Sequence, residues 1–348
     1  MDSQAKKRMR ITIKEVAAIA GVTPAVVSRI INNDPEFTVL ESTKARVYDA
    51  IAKTGYKPNP MARGLRRNRT GMVGLIIVDF TNPFYGKLIR SIQDSVEREG
   101  YACLVSENME DNARTRKLVD LYLERQMEGL ILCTATENDP VIDYLESMNE
   151  KYILATRRAV NSKAPYVGFN NEKGMRDAME YLIALGHRRI GHITGFMDTV
   201  AAHERLNGYR AILQKYSIPL KKEYIIYGDW MVGNAQKCVH TLLQLPDPPT
   251  AIIACNDVVA ISALNTVHEM GLRVPEDISL IGFNNIPESA NTFPPLTTID
   301  SPTEILGQYA AELLLKVMSS EGLEDTEQII DTKLIVRGST GPCRSDNQ

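Results

Sequence analysis

An α/β fold is predicted for this 348-residue chain: a three-helix head at the N-terminus, followed by two doubly wound parallel-sheet subdomains. Three observations predict it. Residues 12–32 carry the start, turn and stop signals of two short helices. From Met72 onward, short apolar runs alternate with amphipathic helical patterns. Positive charge is gathered into the first seventy residues. Apolar runs alternating with helices mark a parallel sheet covered on both faces.

The head comes first. Thr12 and Glu15 stand at the spacing of a capping box, in which each side chain satisfies a free amide at a helix start. Gly21 closes that helix, Thr23 caps the next, and Pro24 takes its first position, where no amide is missed. Two short helices around a tight turn form a helix-turn-helix. The second carries Pro24, Ala25, Ser28, Arg29 and Asn32 toward one side and leaves Val26, Val27, Ile30 and Ile31 for packing. That outward row is short, polar and basic, as a helix entering a major groove requires. Taken alone, the pair also fits an ordinary surface hairpin. Asn32 to Pro35 is a turn signal, and a third helix is expected from about Glu41 to Lys53, ending at Gly55. A head of this size has little core, so its stability should be modest.

Residues 57–70 form a basic linker with five positive charges and no negative one. Pro60 could open a short helix with Met61, Ala62 and Leu65 on one side, but Gly64 weakens it and one or two turns are marginal in water. Order is therefore expected only against a partner. A leucine among arginines fits a wedge into a minor groove flanked by phosphate contacts; a flexible linker with one stray leucine is the alternative.

The net charge of -3 conceals an asymmetry. Residues 1–69 hold fourteen Lys and Arg against six Asp and Glu, a balance of +8, and the remainder carries -11. A basic segment that coincides with a helix-turn-helix points to nucleic acid. No apolar run reaches the length of a membrane span, and the basic start is followed by Lys14 and Glu15 rather than by an apolar leader, so a cytoplasmic protein is expected. Cys103, Cys133, Cys238, Cys255 and Cys343 are scattered and odd in number, which suits reduced thiols rather than a disulfide frame or a metal site. No cofactor and no metal are expected.

Nine apolar runs follow: 73–78, 102–105, 129–133, 152–155, 166–169, 190–194, 224–227, 250–254 and 278–282. Nine strands are too many for one comfortable sheet, so two subdomains are expected. A first crossing is placed near 159–165 and a second at Pro294 to Ile299. The resulting boundaries are 1–56 for the head, 57–70 for the hinge, about 71–160 plus 299–325 for the first subdomain, and about 161–298 plus 326–340 for the second.

Open parallel sheets bind ligands beyond the carboxyl ends of their strands. The candidates there are Asn82, Phe84 and Tyr85; Thr156 and Arg157; Asn170; Gly228 to Trp230; Asn256 and Asp257; Asn284 and Asn285. Arg205 joins them, read as opening a helix after the Gly195 turn. Aromatic planes stack on sugar faces and amides bond hydroxyls in both directions.

Enzyme devices are missing from the sequence. No two glycines stand two apart, which excludes G-x-G-x-x-G. Gly186 and Gly191 have Walker spacing, but His192 and Ile193 replace the Lys and Ser/Thr. His203-Glu204 is followed by Asn207 where a zinc protease needs histidine, and the Gly191/Gly195 pair has Ile193 at a nucleophile's place. An enzyme is not expected.

Seven stretches taken together resemble one family. They are Thr-Ile-Lys-Glu-Val-Ala (12–17), Val-Ser-Arg-Ile-Ile-Asn (27–32), Gly-Tyr-Lys-Pro-Asn-Pro-Met-Ala-Arg-Gly-Leu (55–65), Asn-Pro-Phe-Tyr (82–85), Gly-His-Arg-Arg-Ile (186–190), Asn-Asp (256–257) and Pro-Pro-Leu-Thr-Thr (294–298). The chain is similar, over about nine tenths of its length, to the lac repressor/gal repressor family of bacterial transcription regulators. The resemblance implies a homodimer or tetramer on double-stranded, near-palindromic operator DNA. It also implies a core like a periplasmic sugar-binding protein, whose cleft takes a small effector: a sugar, sugar phosphate or sugar acid. DNA contacts are implied for Thr12, Lys14, Thr23, Pro24, Ala25, Ser28, Arg29 and Asn32, and for Asn59, Arg63 and Leu65 in the hinge. Effector contacts are implied for Phe84, Tyr85, Thr156, Arg205, Trp230, Asn256 and Asn284. Two departures matter: Thr156 and Asn284 stand where the family often carries aspartate. Losing both acids while keeping Arg205 favours an effector bearing a phosphate or carboxylate; a degenerate cleft that binds nothing small is the alternative. A lesser departure is Leu40, where a capping Ser or Thr is usual.

Overall fold

The structure, a computed structural model, describes residues 11–32, 34, 36–56, 70–228, 234–319 and 326–343. They fall into two compact units, Met1–Thr70 and Gly71–Gln348.

In the first unit, α1 (Ile13–Ala20), α2 (Pro24–Ile31) and α3 (Glu41–Thr54) enclose Val16, Ala17, Ala20, Val27, Ile30, Val47 and Ala50. The Glu15 carboxylate reaches back to accept from the Thr12 amide at 2.6 Å, and from the Thr12 hydroxyl at 2.8 Å. Gly21 ends α1 at φ +64°, a left-handed conformation open to glycine at little cost. The Thr23 hydroxyl accepts from the Val26 amide, and Pro24 opens α2. Leu40 starts α3 without a side-chain cap, the weak point its sequence implies.

The second unit holds two six-stranded sheets. The first contains β1 (Met72–Ile77), β2 (Ala102–Glu107), β3 (Gly129–Leu132), β4 (Tyr152–Ala155), β5 (Tyr166–Phe169) and β11 (Glu327–Ile330), in the order β11-β5-β4-β3-β1-β2, all parallel. The second contains β6 (Ile190–Ile193), β7 (Ile225–Ile226), β8 (Ala251–Ala254), β9 (Ser279–Asn284), β10 (Thr297–Asp300) and β12 (Lys333–Ile335), in the order β12-β10-β9-β8-β6-β7. Among the described residues only β12 runs antiparallel there.

Helices cover both faces: α4 (Phe84–Arg98), α5 (Asn112–Glu124), α6 (Pro140–Ser147) and α11 (Thr303–Ser319) on the first sheet, and α7 (Asn171–Ala184), α8 (Val200–Lys215), α9 (Ala235–Leu243) and α10 (Asp257–Glu269) on the second. Strand alternation divides the core between the faces. Val73, Leu75 and Ile77 join one buried cluster with Leu88 and Leu306, while Ile76 joins another with Val119 and Ile142. Successive strand residues point to opposite faces, so an unbroken apolar run is what a doubly covered sheet needs.

Strand pairing corrects the expected subdomain boundaries. Residues 159–165 are not a crossing; they join β4 to β5, and β5 pairs with β4 and β11 in the first sheet. The first crossing follows Phe169 instead. β10 pairs with β9, so the second crossing follows Asp300, and the β11 segment, assigned by sequence to the second subdomain, pairs in the first sheet. A third crossing joins β11 to β12. Hydrogen bonding to neighbours remote in sequence decides which sheet an edge strand joins, and an apolar run does not encode that.

Candidate binding cleft and nucleic-acid interface

The three crossings set a cleft at the carboxyl ends of strands from both sheets. Val78, Asp79, Asn82, Phe84 and Tyr85 line it after β1, Thr156 and Arg157 after β4, and Phe169 and Asn171 after β5. From the second subdomain come Ala201 and Arg205 of α8, Asn256 after β8, and Asn284 ending β9. Its empty volume, open mouth included, is about 590 Å³.

Aromatic rings form one wall. Phe84 meets Tyr85 edge to face at 5.1 Å and Phe169 at 6.4 Å. Burial raises the Tyr85 phenol well above its ordinary value, so it is a neutral hydroxyl at any physiological pH.

Two arginines define the polar side. Arg157 is buried and donates from both terminal nitrogens to Glu110, at 2.8 and 2.7 Å. Burial opposes its charge, but Glu110 first, with Tyr85 and Cys133, outweighs this and the net shift is upward. Arg205 is also buried; its Nε and Nη2 both donate to Asn171 Oδ1 at 3.0 Å, its Nη1 to the Cys255 carbonyl, and its guanidinium lies 3.6 Å from the Phe283 ring centroid. Desolvation pulls it down to about 10, which still leaves a cation at neutral pH.

The backbone is strained on the same surface. Thr156 has φ +63°, Asn284 +108° and Asn285 +56°. Asparagine tolerates this region and a β-branched residue does not, so Thr156 stands out. Asp257 holds the Asn284 turn from behind: its carboxylate accepts from the Ile286 amide at 2.8 Å and the Thr298 hydroxyl at 2.5 Å. Asn256 caps α10 by accepting from the Val259 amide.

Of the cleft residues expected from sequence, Phe84, Tyr85, Thr156, Arg205, Asn256 and Asn284 are brought together, and Trp230 lies outside the described residues. Arg205 does not open its helix but sits in the second turn of α8, which starts at Val200. Asp79 and Asn171 carry no strong sequence signal. Asn170, the candidate of the neighbouring pair, instead caps α7 by accepting from the Lys173 amide.

In the head, Thr12, Lys14, Thr23, Pro24, Ala25 and Arg29 are exposed and Ser28 is half-buried. Arg29 lies 3.8 Å from the Asp34 carboxylate and over the Phe37 ring. Asn32 turns its amide back onto the Ser28 carbonyl at 2.7 Å, closing α2. Asn59, Arg63 and Leu65 lie outside the described residues. Among the described residues no helix is long and apolar enough to cross a membrane, and no group of three or more His, Cys, Asp or Glu could hold a metal ion.

A helix-turn-helix head on a chain whose core is a two-subdomain cleft defines a DNA-binding transcription regulator. The profile described as bacterial regulatory proteins, lacI family, matches residues 12–59, and that of a periplasmic binding protein-like domain matches residues 179–340. The chain is 34% identical over 336 residues to the HTH-type transcriptional repressor CytR of Escherichia coli (strain K12), covering 96% of this chain and 98% of that one. Among solved structures it is similar to the lac repressor dimer bound to operator and the anti-inducer ONPF, with a TM-score of 0.86, 26% identity, and 96% and 100% coverage. It is also similar to a complex of the regulator CelR with cellobiose, with a TM-score of 0.73, 30% identity, and 95% and 100% coverage. The chain belongs to the lacI family of bacterial regulatory proteins.

Proposed function

We propose that this regulator is a repressor that acts as a dimer on a near-palindromic operator and is controlled by a ring-bearing polyol with an anionic group, a sugar phosphate or sugar acid. One observation carries the reading: one cleft is lined by the Phe84, Tyr85 and Phe169 rings, by Asn171, Asn256 and Asn284, and by Arg157 and Arg205. Rings stack on the apolar face of a sugar, amides bond its hydroxyls, and a guanidinium pairs with phosphate or carboxylate. Thr156 and Asn284, in place of two acids, leave Asp79 as the one carboxylate among the described lining residues, against the two guanidinium groups. Repression and a small effector agree with what the relatives are named for.

In the head, Pro24, Ala25 and Arg29 would face the bases, the other exposed polar residues of α1 and α2 the phosphates, and Leu65 of the hinge the minor groove. The first experiment is a thermal-shift screen with glucose, glucose 6-phosphate and glucuronate as class probes, since a ligand that binds only the folded state raises the melting point. The anionic probes should shift it at lower concentration than glucose, and Arg205→Ala should remove the difference. Equal shifts by all three would leave a neutral-sugar cleft, and no shift by any would reject the class.

A further inference from the structure

A chain of side chains leads out of the cleft. Arg205 Nε and Nη2 both donate to Asn171 Oδ1 at 3.0 Å. The other end of that amide, Asn171 Nδ2, donates to Glu204 Oε2 at 2.9 Å. The second Glu204 oxygen accepts from Arg158 Nη2 at 2.7 Å, and Arg158 Nη1 donates to Glu327 Oε1 at 2.9 Å. Arg158 follows β4 and Glu327 begins β11, so both belong to the first subdomain; Glu204 and Arg205 sit on α8 of the second. Asn171 stands where the chain crosses between them.

We propose that Asn171 relays the state of Arg205 to an ionic latch, Arg158–Glu204–Glu327, that ties the two subdomains beside the cleft. The two arms differ in kind. Asn171 and Arg205 are buried, with relative exposures of 2% and 6%, and the amide's oxygen and nitrogen face different partners, so it cannot flip without losing both. The latch is wetter: its side chains are 39%, 23% and 51% exposed for Arg158, Glu204 and Glu327. Exposed ion pairs are weak and screened by salt, so this one can break in a working cycle. A ligand anion that draws the Arg205 guanidinium toward itself weakens its bond to Asn171 Oδ1, and the amide then loosens its hold on Glu204. Binding free energy reaches a contact between subdomains without the ligand touching it, which is the requirement for coupling.

This inference rests on the cleft being the effector site, so it is tested in two arms on the full chain. The first needs no ligand: a double-mutant cycle of Arg158→Ala with Asn171→Ser, read by urea unfolding, with Asn171→Asp, which keeps an acceptor for Arg205 and removes the donor to Glu204, as the substitute should Asn171→Ser fail to fold. A relay gives a coupling of about threefold or more in the unfolding constant; additive effects overturn it. The second arm titrates the class probes glucose 6-phosphate and glucuronate into wild type, Arg158→Ala, Arg158→Lys and a control, Lys215→Ala, which removes from the same helix an exposed ion pair with Glu180. Arg158→Ala should move the dissociation constant about threefold or more, Arg158→Lys should restore it to within about twofold, and the control should leave it alone. An unchanged constant in Arg158→Ala overturns the relay. Should neither probe bind wild type, the cleft reading fails by itself and the cycle alone decides the relay.

Discussion

Thr156 holds a β-branched side chain at positive φ on the cleft surface. A β-branched side chain at φ +63° costs on the order of 1–2 kcal/mol relative to a residue at home there. Thr156→Asn should therefore raise the urea-unfolding free energy by about 1 kcal/mol, since asparagine tolerates the conformation; an unchanged or lower value would show that the neighbouring structure has already absorbed the strain. Asp257 gives a second handle. Burial pushes its carboxyl up to about 7, against the pull of Thr298 and the Ile286 amide. The folded state thus keeps a proton that the unfolded chain has already released above about pH 4. The stability tied to that proton is whole below the unfolded value and is lost as pH rises through the folded one. Wild type should lose stability relative to Asp257→Asn between about pH 4 and pH 7, and a flat difference over that range would contradict the buried-acid account. At this scale the sequence was informative where chemistry follows strand ends, as for Phe84, Tyr85, Asn256 and Asn284. It named Asn170 and passed over Asn171, because only the turn of the chain at the start of α7 sends the first to a cap and the second to the cleft.

Among elements, the head was the most legible, because its signals are local. The Thr12–Glu15 box, Gly21, Thr23 and Pro24 fix two helix ends within a dozen residues, and each stands where the spacing predicts. The strands β1 to β9 were legible as apolar runs for the same reason. β10, read as a crossing, and β11 and β12 were not. β11 is largely exposed in the sequence Glu-Gln-Ile-Ile, so it lacks the unbroken apolar run of a central strand, and its sheet is settled by pairing with β5. The return crossing is secured by α11 against α4, where a Cβ at Gly307 would lie 2.7 Å from the Ser91 Cβ and 3.0 Å from the Leu88 carbonyl oxygen. Helix propensity favours alanine over glycine by about 1 kcal/mol, while forcing two helices apart costs typically 1–3 kcal/mol. Gly307→Ala should therefore lower the unfolding free energy; a gain would mean that the helices can separate freely there.

Over the whole molecule, charge and connectivity divide the work. The cationic first seventy residues suit a polyanion, and the acidic remainder builds a cleft from strand ends that the chain reaches by crossing three times between sheets. The order of sheets and the number of crossings are properties of long-range pairing, which is why the sequence placed two subdomains correctly and drew their borders a strand away. Coupling between cleft and head is the central claim, and it is a free energy linking two sites. The most direct measurement is fluorescence anisotropy of the full chain on a duplex selected from a random pool, at one fixed salt concentration, with and without a compound that the thermal-shift screen shows to bind. The duplex dissociation constant should change by about fivefold or more, within the usual range of allosteric coupling, and the change should vanish in Arg205→Ala. A compound that binds the cleft while leaving the duplex affinity unaltered would contradict the account.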